Sequence, residues 1–554
     1  MAVRNVAGRI RDNARATPDK PAAVMTRGPG EDGVFSSVAM TFGELERDSD
    51  AVARGLARMG VGPGVKTLVA VRPSFAFFSC VFGLFKCGAV PVLIDPGMGG
   101  RRLLECVRAV DPGAMIGAPP AHAARVLFPR YFPNLRHRVT VGRRWFWGGE
   151  SWERFKRFAD APFAIRQPAP GDLAAILFTT GSTGPAKGVE YGHAELNRQI
   201  DLIADAFAID REVDVDAATF PGFSLFSIAL GMTAVVPDMN PVRPGRAMPQ
   251  NIIDAANRLG CTFSFGSPAL WSRVSSYAAR EGRTFRSLKR VVMAGAPAPA
   301  AVHARLLSGV LPEGGATYTP YGATECMPVA NIAGAEILSG AGAETSRGRG
   351  VCVGRPAPGV RVEIIGIADG PIGEWSERLP VPEGEKGEIA VQADHASRHY
   401  HGLPEADRLA KITDGGKFWH RMGDIGYRDP QGRLWFCGRK SHRVETGTET
   451  LFTVCCEGVF NQHPEVFRSA LVGVPLPAGG KKPVMIVEPK DRMTPGHENR
   501  LGRELLELGR KNPVTAGIGD ILFHPGFPTD IRHNAKIGRE ELAAWAARKF
   551  AARR

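Results

Sequence analysis

Apolar positions in residues 41–60, TFGELERDSDAVARGLARMG, recur at helical spacing, and Gly60 and Gly62 mark where that helix must stop. A short β-rich run, KTLVAVRP (66–73), comes next, then an almost wholly apolar segment, SFAFFSCVFGLFKCG (74–88), and a second β run, AVPVLIDP (89–96). The spacing predicts strand, buried helix, strand, and hence a largely parallel sheet with helices on its faces. The longest apolar run, Phe75 to Ile94, is broken by Lys86, Gly83, Gly88 and Pro91, which favours a buried helix and strand over a membrane span. Further strands are predicted at 176–178, at 261–267, and at 288–297, where a strand ends in a tight glycine turn. Residues 340–350 and 366–384 are rich in Gly, Pro and charge and read as loops. A β-rich stretch runs from 387 to 440 and ends in Gly-Arg-Lys, which reads as a hinge.

Length then changes the picture, because 554 residues exceed one ordinary core. The expected architecture is α/β, with a large N-terminal domain of mixed parallel sheets packed by helices (1–439). A small, mobile α+β C-terminal domain (440–554) contains LVGVP (471–475) and VMIVEP (484–489). The nine cysteines lack metal-ligand spacing and sit in apolar surroundings, so buried reduced thiols and a cytoplasmic protein are expected. The N-terminal stretch lacks the apolar centre of a signal peptide.

The net charge of +14 is unevenly placed. Residues 125–157 hold nine Lys/Arg against two Glu, interleaved with aromatics that include Trp145, Phe146, Trp147 and Trp152. Such a stretch is either an irregular solvated insertion or a docking surface for a membrane or a protein partner. Nothing in it resembles a nucleic-acid-binding motif, so no nucleic acid is expected.

Chemistry is concentrated at TTGSTGPAKGV (179–189). Glycines there let backbone amides converge on an anion, Thr and Ser hydroxyls add donors, and Lys187 supplies a point charge. Lys187 precedes Gly188 where a Walker loop needs Ser or Thr, so this is a different phosphate loop. In YGATE (321–325), Tyr321 offers a flat face for a purine, Thr324 a hydroxyl for a phosphate and Glu325 a hard oxygen for Mg²⁺. Taken alone, the same five residues could equally cap a helix. Asp424 in MGDIG could accept ribose hydroxyls or simply hold a turn. Arg439 and the late Lys536 are, singly, ordinary surface cations.

The loop, AGAP (294–297), YGATE, the GD at 423–424, the GR at 438–439 and Lys536 stand in the order found in acyl-adenylate-forming enzymes, which the whole chain resembles. That resemblance implies ATP and Mg²⁺ as cofactors. It assigns Thr179, Thr180, Gly181, Ser182, Thr183, Gly184 and Lys187 to the phosphates, and Gly295, Ala296, Pro297, Tyr321 and Gly322 to the adenine. Asp424 and Arg439 would hold the ribose, Thr324 and Glu325 the α-phosphate and its metal, and Lys536 the reacting carboxylate. Phe223, Ser224 and Phe226 would line the acyl pocket, Ser224 standing where the family often has histidine.

After the hinge the chain departs from the acyl-CoA ligases of that family. Ser441-His442 replaces the usual acidic pair, and Glu445 and Glu449 replace basic residues. Added carboxylates disfavour a polyanionic acceptor such as CoA. The segments at 222–239, 398–403 (RHYHGL) and 445–464 resemble the β-lactone synthetases of bacterial long-chain olefin biosynthesis. The implied substrate is a long-chain 2-alkyl-3-hydroxy acid, activated as its adenylate and closed by its own hydroxyl, with a long-chain acyl-CoA or acyl-AMP ligase as the alternative. The implied partners are that acid and, through residues 125–157, a membrane surface or other enzymes of the same pathway.

Overall fold

Thr41 opens the first long helix, Phe42–Arg58, with a reciprocal cap: its hydroxyl accepts from the Glu44 amide while the Glu44 carboxylate accepts from the Thr41 amide. The structure is a computed structural model and describes residues 3–28, 34–158, 161–178, 186–477, 479–529 and 537–551. The capped helix packs on a second, Phe75–Cys87, which Ser74 starts and Gly88 ends at φ 77°. Lys86, the charge inside the apolar run, is fully buried, and its ammonium donates to Glu46 and Asp50, each at 2.7 Å. A buried cation so paired is costly to strip of its partners, which explains a lysine in an otherwise apolar helix. Among the described residues no helix is long and apolar enough to cross a membrane.

These helices cover a sheet whose order runs Glu150–Ser151, His137–Thr140, Ala114–Gly117, Lys66–Ala70, Val90–Ile94, Leu173–Phe178. All of these neighbours are parallel, as the alternating pattern predicts, and the antiparallel strand Gly188–Gly192 closes the edge. The glycine-rich loop therefore joins two adjacent antiparallel strands.

A larger sheet, edged by the antiparallel strand Ser36–Thr41, runs through parallel strands Pro21–Arg27, Thr233–Val236, Val215–Ala217, Phe263–Gly266, Arg290–Met293 and Ala316–Ala323. It continues antiparallel through Cys326–Ala333, Val351–Pro356, Leu434–Arg439, Lys417–Arg428 and Gly387–Gln392. Beyond residue 440, Val466–Pro475, Lys481–Pro489 and Ile521–Phe523 form a separate sheet, covered by helices Thr453–Phe460, Pro495–Arg510 and Arg539–Ala551 with core clusters of their own. The fold is thus α/β in its large part and α+β in its small C-terminal part, as expected. All nine cysteines are buried free thiols.

Two local expectations need correction. Residues 342–346, read as loop, form a short helix that continues from Ala341, whose burial in a core cluster anchors its start. The aromatics of 125–157 are not one surface. Trp147 is buried, stacked 5.6 Å from His122 and donating its indole N–H to Thr140 at 3.1 Å, and Trp152 and Phe155 join the main core. Trp147 is therefore structural and unable to serve as an interfacial anchor.

Candidate active site

Strand register assembles the site. Val292 and Tyr318 are Cα partners in adjacent parallel strands, so Gly295 and Tyr321, each three residues further on, both follow toward the carboxyl ends. Carboxyl ends of parallel strands are where open α/β sheets bind ligands. Tyr321 does not cap a helix. It lies within strand Ala316–Ala323, and Thr324-Glu325 form the turn into the next strand, Cys326–Ala333. Gly322 is needed there, since a Cβ would sit 2.6 Å from the Cys326 carbonyl oxygen.

Asp424 and Arg439 face each other as Cα partners on neighbouring antiparallel strands. The Tyr321 hydroxyl donates to Asp424 Oδ2 at 2.7 Å, and Arg439 Nη1 lies 3.1 Å from Oδ1. That guanidinium is angled toward the Met422 carbonyl, to which it donates at 3.1 Å, so Oδ1 accepts no hydrogen bond among the described residues. Burial pushes the Asp424 carboxyl up, with Arg439 and Tyr321 opposing, while Arg439 is held above its ordinary value by Asp424. A buried carboxylate oxygen without a donor suits a ligand hydroxyl.

Glu325 sits in a second cluster that sequence reasoning missed. Its Oε1 accepts from the Tyr400 hydroxyl at 2.7 Å, and its backbone carbonyl accepts from the Ser397 amide at 2.8 Å. Lys187 lies 4.6 Å over the Tyr400 ring, a cation–π contact that ties the end of the glycine-rich loop to the Glu325 carboxylate. Segment 398–403 is held against strand Gly188–Gly192, with the Glu190 amide donating to the His399 carbonyl and the His401 amide to that of Gly188. His401 also bridges Glu190 at 2.6 Å and Lys66 at 3.2 Å. Lys411 donates to the Ser397 carbonyl and is pulled down to about 8 by burial, with Glu325 opposing. His420 is kept well below its ordinary value by burial, then by Lys411, Lys187 and Arg439. Cations from three separate elements thus converge on one carboxylate, a field suited to a polyanion. The signal for Tyr400 was present in RHYHGL, but no spacing rule connects residue 400 to residue 325.

Thr324 is half-buried, and its carbonyl accepts from the Tyr191 hydroxyl. Phe223 lies flat on Phe265, 3.9 Å between centroids, so it fills the core; Ser224 is buried beside it and Phe226 is only partly covered. Gly295 and Pro297 are exposed or half-exposed beyond Met293, as is Ala296. Thr179, Thr180, Gly181, Ser182, Thr183, Gly184 and Lys536 lie outside the described residues.

Residue 440, where the sequence suggests a hinge, is anchored. Lys440 donates to Glu388 at 3.0 Å, and Glu388 also takes the buried Arg421 guanidinium at 2.6 Å. Beyond it, Glu445 is paired with Arg443 at 2.9 Å, but the same guanidinium also holds Asp369 at 2.6 Å, so one positive charge serves two carboxylates. His442 is brought down to about 4 by burial and then by Arg539, and is therefore a neutral imidazole at pH 7.

The AMP-binding enzyme family model matches residues 10–401. The olefin β-lactone synthetases of Xanthomonas campestris and Stenotrophomonas maltophilia are each 45% identical to this chain over 98% of both lengths. The solved o-succinylbenzoate coenzyme A synthetase of Bacillus subtilis in complex with ATP and magnesium ion superimposes with a TM-score of 0.73 at 19% identity, covering 96% of this chain and 98% of that one. With the site's geometry and both kinds of match in agreement, this chain belongs to the AMP-binding enzyme family and is similar along nearly its whole length to olefin β-lactone synthetases.

Proposed function

We propose that the enzyme activates a long-chain 2-alkyl-3-hydroxy acid as its acyl-adenylate and lets the substrate's own 3-hydroxyl close a β-lactone, releasing AMP and pyrophosphate. The observation that carries this reading is the 45% identity to olefin β-lactone synthetases across 98% of the chain. The family and the cationic site supply the first half-reaction.

Asp424 Oδ1 and Arg439 would take the ribose hydroxyls, with the adenine against Tyr321 and Gly295 to Pro297. Lys187, with the hydroxyls and amides of 179–184, would take the departing pyrophosphate. Glu325 is the hard oxygen suited to Mg²⁺, which when bound offsets phosphate charge. Tyr400 would hold the Glu325 carboxylate in place, while Lys187 rests on the same ring. Lys536, carried by residues 440–554 acting as a unit, would approach the substrate carboxylate and the α-phosphate. Two anions must meet as the carboxylate attacks phosphorus, and fixed cations lower that barrier. In the second half-reaction the nucleophile is tethered to the electrophile, so no external acceptor site is needed. Phe226, with the helix Pro221–Leu230 behind it, would border the alkyl chains.

A direct test is AMP release from ATP, Mg²⁺ and a racemic 2-alkyl-3-hydroxy acid, with and without CoA. The reading expects equal rates. AMP formation that requires CoA overturns it and favours an acyl-CoA ligase.

A further inference from the structure

Burial of Trp147 separates what is structural in the basic stretch from what is left over. The helix Pro119–Leu127 packs on the loop 141–149: His122 stacks on Trp147, and Arg125 donates to the Trp147 carbonyl at 3.0 Å. Val126, one turn beyond His122 on the same helix face, reaches the surface there. Trp145 and Phe146 stand 5.4 Å and 5.7 Å from the buried Trp147 ring and point outward, 56% and 81% exposed. Leu127, at 72%, and Phe128, at 44%, project from the helix end. Trp145 and Phe146 are held on the buried tryptophan, and Leu127 and Phe128 are exposed at the end of the helix packed on the same loop; large apolar side chains this exposed form an edge that a soluble surface rarely carries.

Along the stretch that carries that edge the charge has one sign. Between Asp111 and Glu150 the chain holds six arginines and no acidic residue. Arg130, Arg136, Arg143 and Arg144 are exposed, and among the described residues none is in an ion pair. Arg144 is spent on a backbone carbonyl, that of Gly149, at 2.5 Å. Solvation alone accounts for the arginines but leaves the exposed Trp and Phe without a reason. An acidic protein partner would match the charge, yet exposed Trp, Phe and Leu on a stretch rich in arginine is the combination that an anionic bilayer surface rewards on both counts, apolar insertion and headgroup attraction.

We infer that the edge formed by Leu127, Phe128, Trp145 and Phe146, with Arg130, Arg143 and Arg144 of the same stretch, docks this enzyme on anionic phospholipid. The site is remote from the chemistry. In sheet order, strand His137–Thr140 is four positions from Leu173–Phe178, roughly 20 Å at the usual strand spacing. Docking there leaves the ATP site free. Lipid docking does not depend on lactone formation, although a poorly soluble acid gives the surface a use.

Full-length protein would be sedimented with vesicles of phosphatidylglycerol mixed with phosphatidylcholine, and of phosphatidylcholine alone, at roughly 0.1 M salt. Binding is expected to the first and not to the second. Arg143→Glu with Arg144→Glu, and separately Trp145→Ser with Phe146→Ser, should each lower the bound fraction about tenfold or more. AMP formation from a soluble short-chain acid should stay at the wild-type rate. Absence of binding, equal binding to both vesicles, or variants that bind like wild type would overturn the inference. Parallel loss of activity in the variants would place the edge in the fold and overturn it as well. Retention on polyglutamate beads without vesicle binding would replace the lipid with an acidic protein partner.

Discussion

The Tyr400 hydroxyl donates to Glu325 Oε1 at 2.7 Å, while Lys187 rests 4.6 Å over the same ring. One side chain therefore couples the residue suited to a metal with the one suited to a phosphate, and it comes from a segment distant from both in sequence. Removing only the hydroxyl tests that coupling. Tyr400→Phe should keep the ring under Lys187 but release Glu325, lowering adenylate formation by roughly tenfold, the worth of one hydrogen bond to a charge. It should also raise the Mg²⁺ concentration needed for half-maximal rate, as should Glu325→Gln. In the double variant the losses should be less than additive. An unchanged Mg²⁺ titration in both single variants would remove the pair from the metal site.

Asp424 should read the ribose. Wild-type enzyme should prefer ATP to 2′-deoxy- or 3′-deoxy-ATP, because the lone Oδ1 acceptor is buried and otherwise unfilled among the described residues. Asp424→Ala should erase most of that preference while lowering ATP affinity about tenfold or more. Steady-state competition among the nucleotides measures it. A variant that keeps the discrimination would show that another group contacts the ribose.

Lys536 is expected to act on the reacting anions and not on nucleotide affinity. Lys536→Ala should lower AMP formation by about two orders of magnitude, as loss of one electrostatic donor does. ATP binding, measured by calorimetry, should persist, since the proposed nucleotide contacts lie before residue 440. Turnover above a tenth of wild type would contradict the assignment.

How far these residues were legible depended on range. Local signals sufficed for Phe75–Cys87, where apolar character, Ser74 and Gly88 all agree, and for the strand into the glycine-rich loop. Tyr321, Asp424 and Arg439 could be named because each sits in a short distinctive string. Their meeting depends on β-sheet register between strands about a hundred residues apart, which no local pattern contains. Tyr400, Lys411 and His420 were invisible for the same reason. Trp147 was misjudged because the sequence placed it among basic residues, whereas its partners His122 and Thr140 come from the flanking helix and strand.

Stability should depend on pH through Asp216, a buried carboxyl that accepts from Ser227 Oγ at 2.7 Å behind the proposed acyl helix. Burial pushes it up to about 7. From about pH 4 to 7 the folded protein therefore holds a proton that the unfolded chain has released, and stability falls as pH rises through that window. Asp216→Asn should flatten this decline and stabilise the protein at alkaline pH by up to about 4 kcal/mol, at about 1.36 kcal/mol per pKa unit. Melting temperatures across the range decide it. Parallel curves for variant and wild type would mean that Asp216 carries no proton in the fold.

The identity of the product is the central claim, and NMR of the organic product made without CoA tests it most directly. With ATP, Mg²⁺ and a 2-alkyl-3-hydroxy acid, ring protons of a β-lactone should appear in step with AMP. The same acid lacking its 3-hydroxyl should form adenylate and stall, because nothing tethered remains to attack the carboxyl. A thioester formed on adding CoA, with no lactone in its absence, would contradict the account and make this enzyme an acyl-CoA ligase.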